Sequence, residues 1–557
     1  MPKLVHQDAT AQAHLFGLRL GLFTESLDHE LVDLGLAISA ALETSQTQPY
    51  LTGTNVAENA KLNTPDDAIS APSFAARHRP TTTPTPTGKV SPQDEDSLKD
   101  YYELGLKQAD FKAAIETLDL RRPTHAIANI VVPRVYDSEE EITEWREHFK
   151  KALANFAEAN YDPIKSLNAL SMHRTAGLAY QGMLDKDIMV EHGRIMRQIT
   201  ERVAPDLTEP IPRKRGKQIK VGYISANMHG SNGCRWSLGW LRNHGPNVET
   251  YALNVGTIHD NVSQQFKRNA HHYFHLVKSI PENARFIKSL DLDILIFTDI
   301  GLHGYNTSYA TMRMAPAQCT AWGHPVTSGY PDIDYYLSSD LMETEDADSH
   351  YAETLIRLPG SGLYYEEIEE APDLDRAHFG LPDSGPIIVN MQTKPKLLPQ
   401  HDYLYKQIAE RTNSPLVILE GIQSCDTIIT KRRMENAGVP TIWLPHLKRA
   451  EFLSLLKLAD VSLDPPLWSG GNTTIEALAM GTPVVTLPGP WMRSRHSYAF
   501  LKRAGVEELI ANSSEEYVAI ACDFERQKEA MAKIDIQPIF RDPDPVRALD
   551  QFFESSF

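Results

Sequence analysis

Nine short apolar runs constrain this chain more than any other feature. The first series holds "IKVGYIS" (219–225), "DILIFTD" (293–299), "QCTAWG" (318–323) and "DYYLSSD" (334–340). The second holds "PIIVNM" (386–391), "PLVILE" (415–420), "PTIWLP" (440–445), "DVSLD" (460–464) and "PVVTLP" (483–488). Each is short, the length of a buried strand, and most are separated by long amphipathic stretches. Strands alternating with helices make parallel βα units. Two such series predict two Rossmann-like α/β halves facing a cleft, over 216–380 and 381–557. The second ends on "DPVRALDQFFESSF", read as a closing helix.

The chain has 557 residues, enough for two or three domains. Residues 10–43 are rich in Leu and Ala at helical spacing, which predicts N-terminal helices within 1–43. Residues 44–95 are dominated by Thr, Pro, Ser and Asp and bury too little apolar surface to offset ordering entropy, so a disordered linker is expected. A helical domain is expected over 96–215. Its clearest element is "YDSEEEITEWREHFKKALANF", where Ser138 and Glu141 form a capping box and Ile142, Trp145, Phe149, Ala152 and Phe156 fall on one face. No helical repeat of about 34 residues is evident. "PRKRGK" (212–217) marks the boundary with the first α/β half.

Hydrophobic content of 41% and charged content of 23% are those of a soluble globular protein. The net charge of −18 argues against nucleic acid or an anionic membrane as main partner, although a local basic pocket can still take an anion. Four widely spaced cysteines without a CxxC point to a reducing compartment rather than a disulfide framework or structural zinc. The start lacks a basic segment leading into an apolar run and cleavage site, and no apolar stretch of about 18 residues occurs. A cytoplasmic protein with no membrane insertion is expected. Oligomeric state is not legible.

Ligands of open parallel sheets bind beyond the C-terminal ends of the strands. After "DVSLD" comes "PPLWSGGNTTIEALAMG". Gly470 and Gly471 let a ligand approach the backbone closely, and Asn472, Thr473 and Thr474 stand where a helix N-terminus offers unpaired N–H groups. Together they make an anion site, most naturally for phosphate. Glu476, one turn in, can accept hydrogen bonds from ribose hydroxyls. The same residues would also serve a capped helix after a tight turn. The loop fits neither GxxxxGK[ST] nor GxGxxG, so ATPase and dinucleotide readings lose support. The "DLD" and "DID" triplets read as strand-edge acids rather than a metal site.

The stretch "LDPPLWSGGNTTIEALAMGTPVVTLPG" resembles the donor segment of the protein O-GlcNAc transferase family, which includes bacterial cytoplasmic adhesin N-glucosyltransferases. "RMAPAQCTAWGHPVTSGYPDIDYYLSSD", "ETLIRLPG" and "RAGVEELIANSSEEYVAIA" resemble further segments of that family in the same order. The likeness runs from about 216 to 550. It implies a GT-B fold that binds a nucleotide sugar in its C-terminal half and requires no metal or other cofactor.

By the same resemblance, "VNMQTKPKLLP" carries the family's essential lysine at Lys396, with Lys394 as neighbouring competitor and Thr393 among the donor-binding residues. An ammonium there would stabilise charge on the departing nucleotide. "LPHLKRAEFLSLLKLADV" resembles the base-recognition segment: Leu447 would offer backbone groups, Arg449 would replace a lysine, and Phe452 stands in place of a stacking histidine. Gly471 replaces a histidine, Asn472 a threonine and Glu476 an aspartate; the Gly-Asn pair is similar to the N-glucosyltransferase branch. In the loop after the first strand, His229 is the candidate base or acceptor-positioning group. His324, in a "GHP" shared with that branch, is a candidate substrate contact, and "RSRHSYAF" (493–500) a candidate source of charge for phosphates.

The reading is an inverting, metal-independent transferase moving a sugar from a UDP-sugar to a protein side chain. GlcNAc comes before glucose as donor, and Ser or Thr is favoured as acceptor. The alternatives are a glycan or lipid acceptor, or a catalytically silent module binding a nucleotide sugar or a peptide.

Overall fold

The computed structural model describes residues 111–116, 118–213, 216–231, 235–422 and 424–556. The helices expected within 1–43, the linker expected over 44–95 and the start of the 96–215 region lie outside the described residues.

All nine apolar runs are strands, in two wholly parallel sheets. The first sheet contains β1 (Ile219–Ser225), β2 (Val248–Asn254), β3 (His272–His275), β4 (Ile294–Phe297), β5 (Ala317–Ala321), β6 (Tyr335–Ser339) and β7 (Thr354–Leu358), in the order β3-β2-β1-β4-β5-β6-β7. The second contains β8 (Ile388–Asn390), β9 (Leu416–Leu419), β10 (Thr441–Leu444), β11 (Val461–Leu463) and β12 (Val484–Val485), in the order β10-β9-β8-β11-β12. Both orders reverse direction once, between β1 and β4 and between β8 and β11. Such reversals are where loops diverge and a crevice opens.

Strands β2, β3 and β7 carry no continuous apolar run. β3 and β7 are edge strands with polar, partly exposed positions. β2 buries polar residues that find partners: Thr250 bonds His271, and Asn254 donates to the Tyr273 hydroxyl at 3.0 Å.

The helices before β1 complete the first half. Helix α1 (Glu139–Glu158) begins at Ser138, whose hydroxyl accepts from the Glu141 amide at 3.2 Å. The Glu141 carboxylate reaches the Asp137 amide at 2.7 Å rather than that of Ser138, so the capping box closes one residue early. Ile142, Trp145, Phe149, Ala152 and Phe156 are all buried, as the spacing predicts. Their core is continuous with one face of the first sheet through Ile224, Leu253, Leu295 and Phe297. Alternate residues Tyr223, Ala252 and Ile296 belong to the core that runs into the second half. Helix α2 (Lys186–Val203) crosses the 328–330 loop so closely that a Cβ on Gly193 would lie 2.3 Å from the Gly329 carbonyl oxygen.

The closing helix, Asp544–Ser556, returns to the first half. Asp550 holds the His244 ring at 2.5 Å and the Gly245 amide at 2.8 Å.

Candidate functional site

At the β8/β11 reversal two loops meet. One runs from Met391 to Lys396 after β8, the other from Asp464 to Gly471 after β11. Buried Asp464 anchors the second: it accepts from the Gly470 amide at 2.6 Å, the Ser469 hydroxyl at 2.8 Å and the Thr486 hydroxyl at 2.7 Å. Ser469 also accepts from the Ser497 amide at 2.8 Å and donates its own amide to the Arg493 carbonyl at 2.7 Å. Lys396 Nζ reaches across to the Ser469 carbonyl at 3.0 Å and the Gln392 side-chain carbonyl at 2.8 Å. The Gln392 amide in turn donates to the Thr473 hydroxyl.

Asn472–Ala479 is a helix that opens on Gly471, which supplies no side-chain cap. Thr474 and Ile475 donate their amides to the Gly471 carbonyl at 3.1 and 3.3 Å, which leaves the Asn472 and Thr473 amides without an intrahelical partner at the loop that Lys396 approaches. The glycines are sterically dictated. A Cβ on Gly470 would lie 2.5 Å from Gln392 Nε2, and one on Gly471 would lie 3.3 Å from the Trp322 ring of the first half.

The two lysines part ways. Lys394 is buried, donates to the Gln392 backbone carbonyl at 3.1 Å and lies over the Trp443 ring. Burial draws its pKa down to about 7 against the pull of Asp426 and Glu420. Lys396 faces the loop; burial lowers its pKa to about 8 despite the Asp464 charge. Desolvation penalises the ammonium, and an anion in the loop would restore it.

The other candidate donor residues surround this centre. Arg449 opens the helix Arg449–Leu458 and donates to Glu476 and, at 2.7 Å, to Glu369. Glu476 is buried, so its carboxylate is already matched by a guanidinium. Leu447 is buried and Phe452 half-buried against the core on the same helix's first turn. Thr393 is exposed, and its carbonyl accepts the Lys396 amide at 3.0 Å. Asn472 Oδ1 accepts from the Tyr365 hydroxyl at 2.9 Å, which ties the helix start to the segment joining the halves.

On the first half, Trp322 follows β5 and meets the ring of His496 at 4.9 Å. Burial pushes His496 down to about 3, with Lys396 adding to the shift, so the ring is neutral. His324 is buried and also held near 3, by burial and then Arg493. Its Nδ1 finds no hydrogen-bond partner among the described residues. Gly301, at φ +99°, admits the ring: a Cβ there would lie 2.8 Å from His324 Cδ2. His324 and His496 can donate or accept a hydrogen bond but carry no charge near neutral pH.

His229 stands at the other reversal, after β1. That loop is fixed by buried Asp299, which accepts from Ser225 at 3.0 Å, Thr298 at 2.8 Å and the Asn227 amide. His229 is half-buried, its pKa lowered by burial and raised by Asp260. The structure therefore joins Lys396, Gly470 and Thr473 through Gln392, and Arg449 with Glu476. His229 belongs to the opposite wall.

The "RSRHSYAF" segment does not offer the charge expected of it. Arg493 is turned inward to Asp185 at 3.4 Å and to the Met183 carbonyl, and the Arg495 guanidinium lies over the Tyr498 ring at 4.3 Å. Gln392, Asp464 and Trp322 were legible only as polar or aromatic residues closing strand-like runs. Ser497, Tyr365 and His496 enter by tertiary contact and leave no local signal. Among the described residues, no helix is long and apolar enough to cross a membrane, and no group of three or more His, Cys, Asp or Glu is placed to hold a metal ion.

Comparison with known proteins converges on the same region. The profile of glycosyl transferase family 41 matches residues 364–541. A rice protein named "Probable UDP-N-acetylglucosamine--peptide N-acetylglucosaminyltransferase SPINDLY" is 30% identical over 268 residues, covering 45% of this chain and 28% of the rice protein. The Arabidopsis thaliana protein of the same description named SEC is 26% identical over 341 residues, covering 55% of this chain and 33% of its own length. The chain thus spans about a third or less of these two relatives. A mutant O-GlcNAc transferase of Thermobaculum terrenum superposes with a TM-score of 0.54 at 19% identity, over 83% of this chain and 94% of that one. That likeness is one of fold: two Rossmann-like halves across a crevice, the GT-B arrangement.

Proposed function

We propose that this chain, whose residues 364–541 match the model of glycosyl transferase family 41, transfers a sugar from a UDP-sugar to a protein side chain. The observation that carries this reading is the Lys396 ammonium, 3.0 Å from the Ser469 carbonyl, facing a glycine loop that opens an uncapped helix. An ammonium and the two free amides of Asn472 and Thr473 converge where two adjacent strands of a parallel sheet diverge. That arrangement suits a diphosphate. The relatives' names supply the class of donor and acceptor: UDP-N-acetylglucosamine and a peptide.

In this reading the diphosphate lies on Gly470, Gly471, Asn472 and Thr473. Lys396 neutralises the charge that develops on the departing UDP. Glu476 accepts from the ribose, with Arg449 holding it in place, while Leu447 and Phe452 flank the base. The acceptor oxygen, of Ser or Thr, attacks the anomeric carbon on the face opposite the leaving group, so configuration inverts. His229 on the first-half wall receives or orients the acceptor proton. Positive charge comes from the chain itself, so no metal is assigned to the step. UDP-GlcNAc is the first donor to try and UDP-glucose the second.

The test is to incubate the full chain with each UDP-sugar and a cell lysate, then search intact and digested proteins by mass spectrometry for added N-acetylhexosamine or hexose. A protein adduct absent with Lys396→Ala supports the reading and names donor and acceptor residue. Donor consumption without a protein adduct would move the acceptor to a glycan or lipid. UDP binding without turnover would leave a binding module.

A further inference from the structure

Segment 171–180 lies over the strand ends of the first sheet. The amides of Thr175 and Ala176 both donate to the Gly301 carbonyl at 3.2 Å, just beyond β4. Four residues on, Tyr180 stacks on Trp468 at 4.1 Å, beside Ser469 of the glycine loop. The segment therefore spans from the His229 wall to the donor-side loop.

Arg174 stands on this bridge. It is exposed and makes no hydrogen bond or ion pair with any described residue. Partial desolvation of the guanidinium, and after it the like charge of Arg134, draws its pKa below the usual range. Arg134 has a counter-ion, Asp426 at 3.5 Å; Arg174 has none. Its other electrostatic neighbour is His303, which burial, Arg174 and His229 together hold near 4. So the Arg174 guanidinium, on the wall opposite the donor loop, has no counter-ion among the described residues, and its charged or titratable neighbours are Arg134 and His303. An anion entering the crevice would give Arg174 the counter-ion that no described residue supplies.

The diphosphate does not meet this need. Its charge is matched on the second sheet by Lys396 and the helix start, whereas Arg174 is anchored to the first sheet beside His303. We propose that Arg174, backed by Arg134, is a specificity-determining contact that reads a carboxylate side chain flanking the residue that receives the sugar. This rests on the protein-acceptor reading above and adds to it a preference for acidic sequence. Arg suits the task because its planar donors match a carboxylate with two parallel hydrogen bonds.

The experiment uses synthetic peptides with one central Ser, Thr or Asn, flanked at each of the three positions on either side by Asp, Asn or Lys in turn. The full chain is supplied with UDP-GlcNAc or UDP-glucose, and kcat/KM is read by mass spectrometry. Asp at one or two positions should raise kcat/KM about tenfold over Asn, the scale of one charge-assisted hydrogen bond. Arg174→Glu should invert the order, so that Lys-flanked peptides become the better acceptors. An unaltered ranking in Arg174→Glu, or a wild-type enzyme indifferent to flanking charge, overturns the proposal. So does a rise in the KM for UDP-sugar that is equal for every peptide, which would assign Arg174 to the donor. Donor hydrolysis with no peptide modified would remove the protein-acceptor reading itself, and the proposal with it.

Discussion

Lys396 is the residue on which the chemistry can be tested most sharply. Replacing it with Ala removes one ammonium and two hydrogen bonds from the crevice rather than from the core. The fold should survive, and kcat should fall by about 10²–10³, the usual cost of deleting one charge-stabilising group at a reaction centre. Circular dichroism with steady-state kinetics checks both halves. The pH dependence follows from the same group. Burial lowers the free lysine to about 8, and the working form is the protonated one. Thus kcat/KM should be level between neutral pH and about 8 and fall about tenfold per unit above it. A bound diphosphate favours the ammonium, so the fall in kcat should come at higher pH. Lys396→Arg, which keeps its charge over this range, should lack the alkaline limb whatever its absolute rate. An identical limb in that variant would assign the ionisation elsewhere. Gly470→Ala should act through the same lysine. The new Cβ would meet Gln392 Nε2 at 2.5 Å and displace the side chain that holds both Lys396 and Thr473. We expect kcat to drop about tenfold, the cost of misplacing a catalytic group by less than an ångström. Kinetics with UDP titrated separately will show whether binding or turnover bears the loss.

Secondary structure followed the sequence wherever burial is two-sided. A strand covered on both faces is mostly apolar, so β1, β4, β8, β9 and β11 announce themselves as runs, whereas buried β2 pairs its polar residues instead. Edge strands β3 and β7 meet water on one side and had no such signature, although the edge strands of the second sheet, β10 and β12, did. Helix α1 was legible on its buried face because one stripe meets one core, although Arg146 and Leu153 are buried there too. Its start was less so: Ser138 caps as expected, but Glu141 turns to Asp137. Ser138→Ala should therefore cost about 1 kcal/mol of stability, one lost cap, with kinetics unchanged. Denaturant unfolding measures it, and a loss near zero would mean that water or Glu141 serves the helix start equally well. The glycine loop was legible for a different reason. Close backbone approach needs glycine, and that need is written in the chain itself. The groups that hold the loop, Asp464 aside, arrive from distant segments: Gln392 from the neighbouring strand's loop and Ser497 from the following helix. Periodicity and local motifs do not carry that information.

Across the whole molecule, the helices before β1 are not an appendage. They share a core with one face of the first sheet, and a buried charge path links them to the second. Asp185, wholly enclosed, pairs with Arg146 at 2.9 Å and Arg493 at 3.4 Å. Burial raises its pKa while the two guanidinium groups lower it. The Arg493 carbonyl then receives the Ser469 amide at 2.7 Å, and the Ser469 carbonyl receives Lys396. One carboxylate in the helical region is thus three contacts from the proposed reaction centre. Asp185→Asn keeps the shape and removes the charge, leaving two buried cations without a counter-ion. Breaking such a pair costs about 3–5 kcal/mol. Stability should fall by that amount in denaturant unfolding. UDP affinity should also weaken, at a temperature where circular dichroism shows the variant still folded, because Arg493 no longer has a fixed place from which to hold Ser469. Arg493→Met separates the two effects: it removes one of the unmatched cations but not the backbone carbonyl. If Asp185→Asn loses stability while its folded fraction binds UDP as the wild type does, the helical region supports the fold without tuning the site. If both fall together, and adding Arg493→Met to that variant restores stability more than affinity, the helices position the donor loop through this one buried charge.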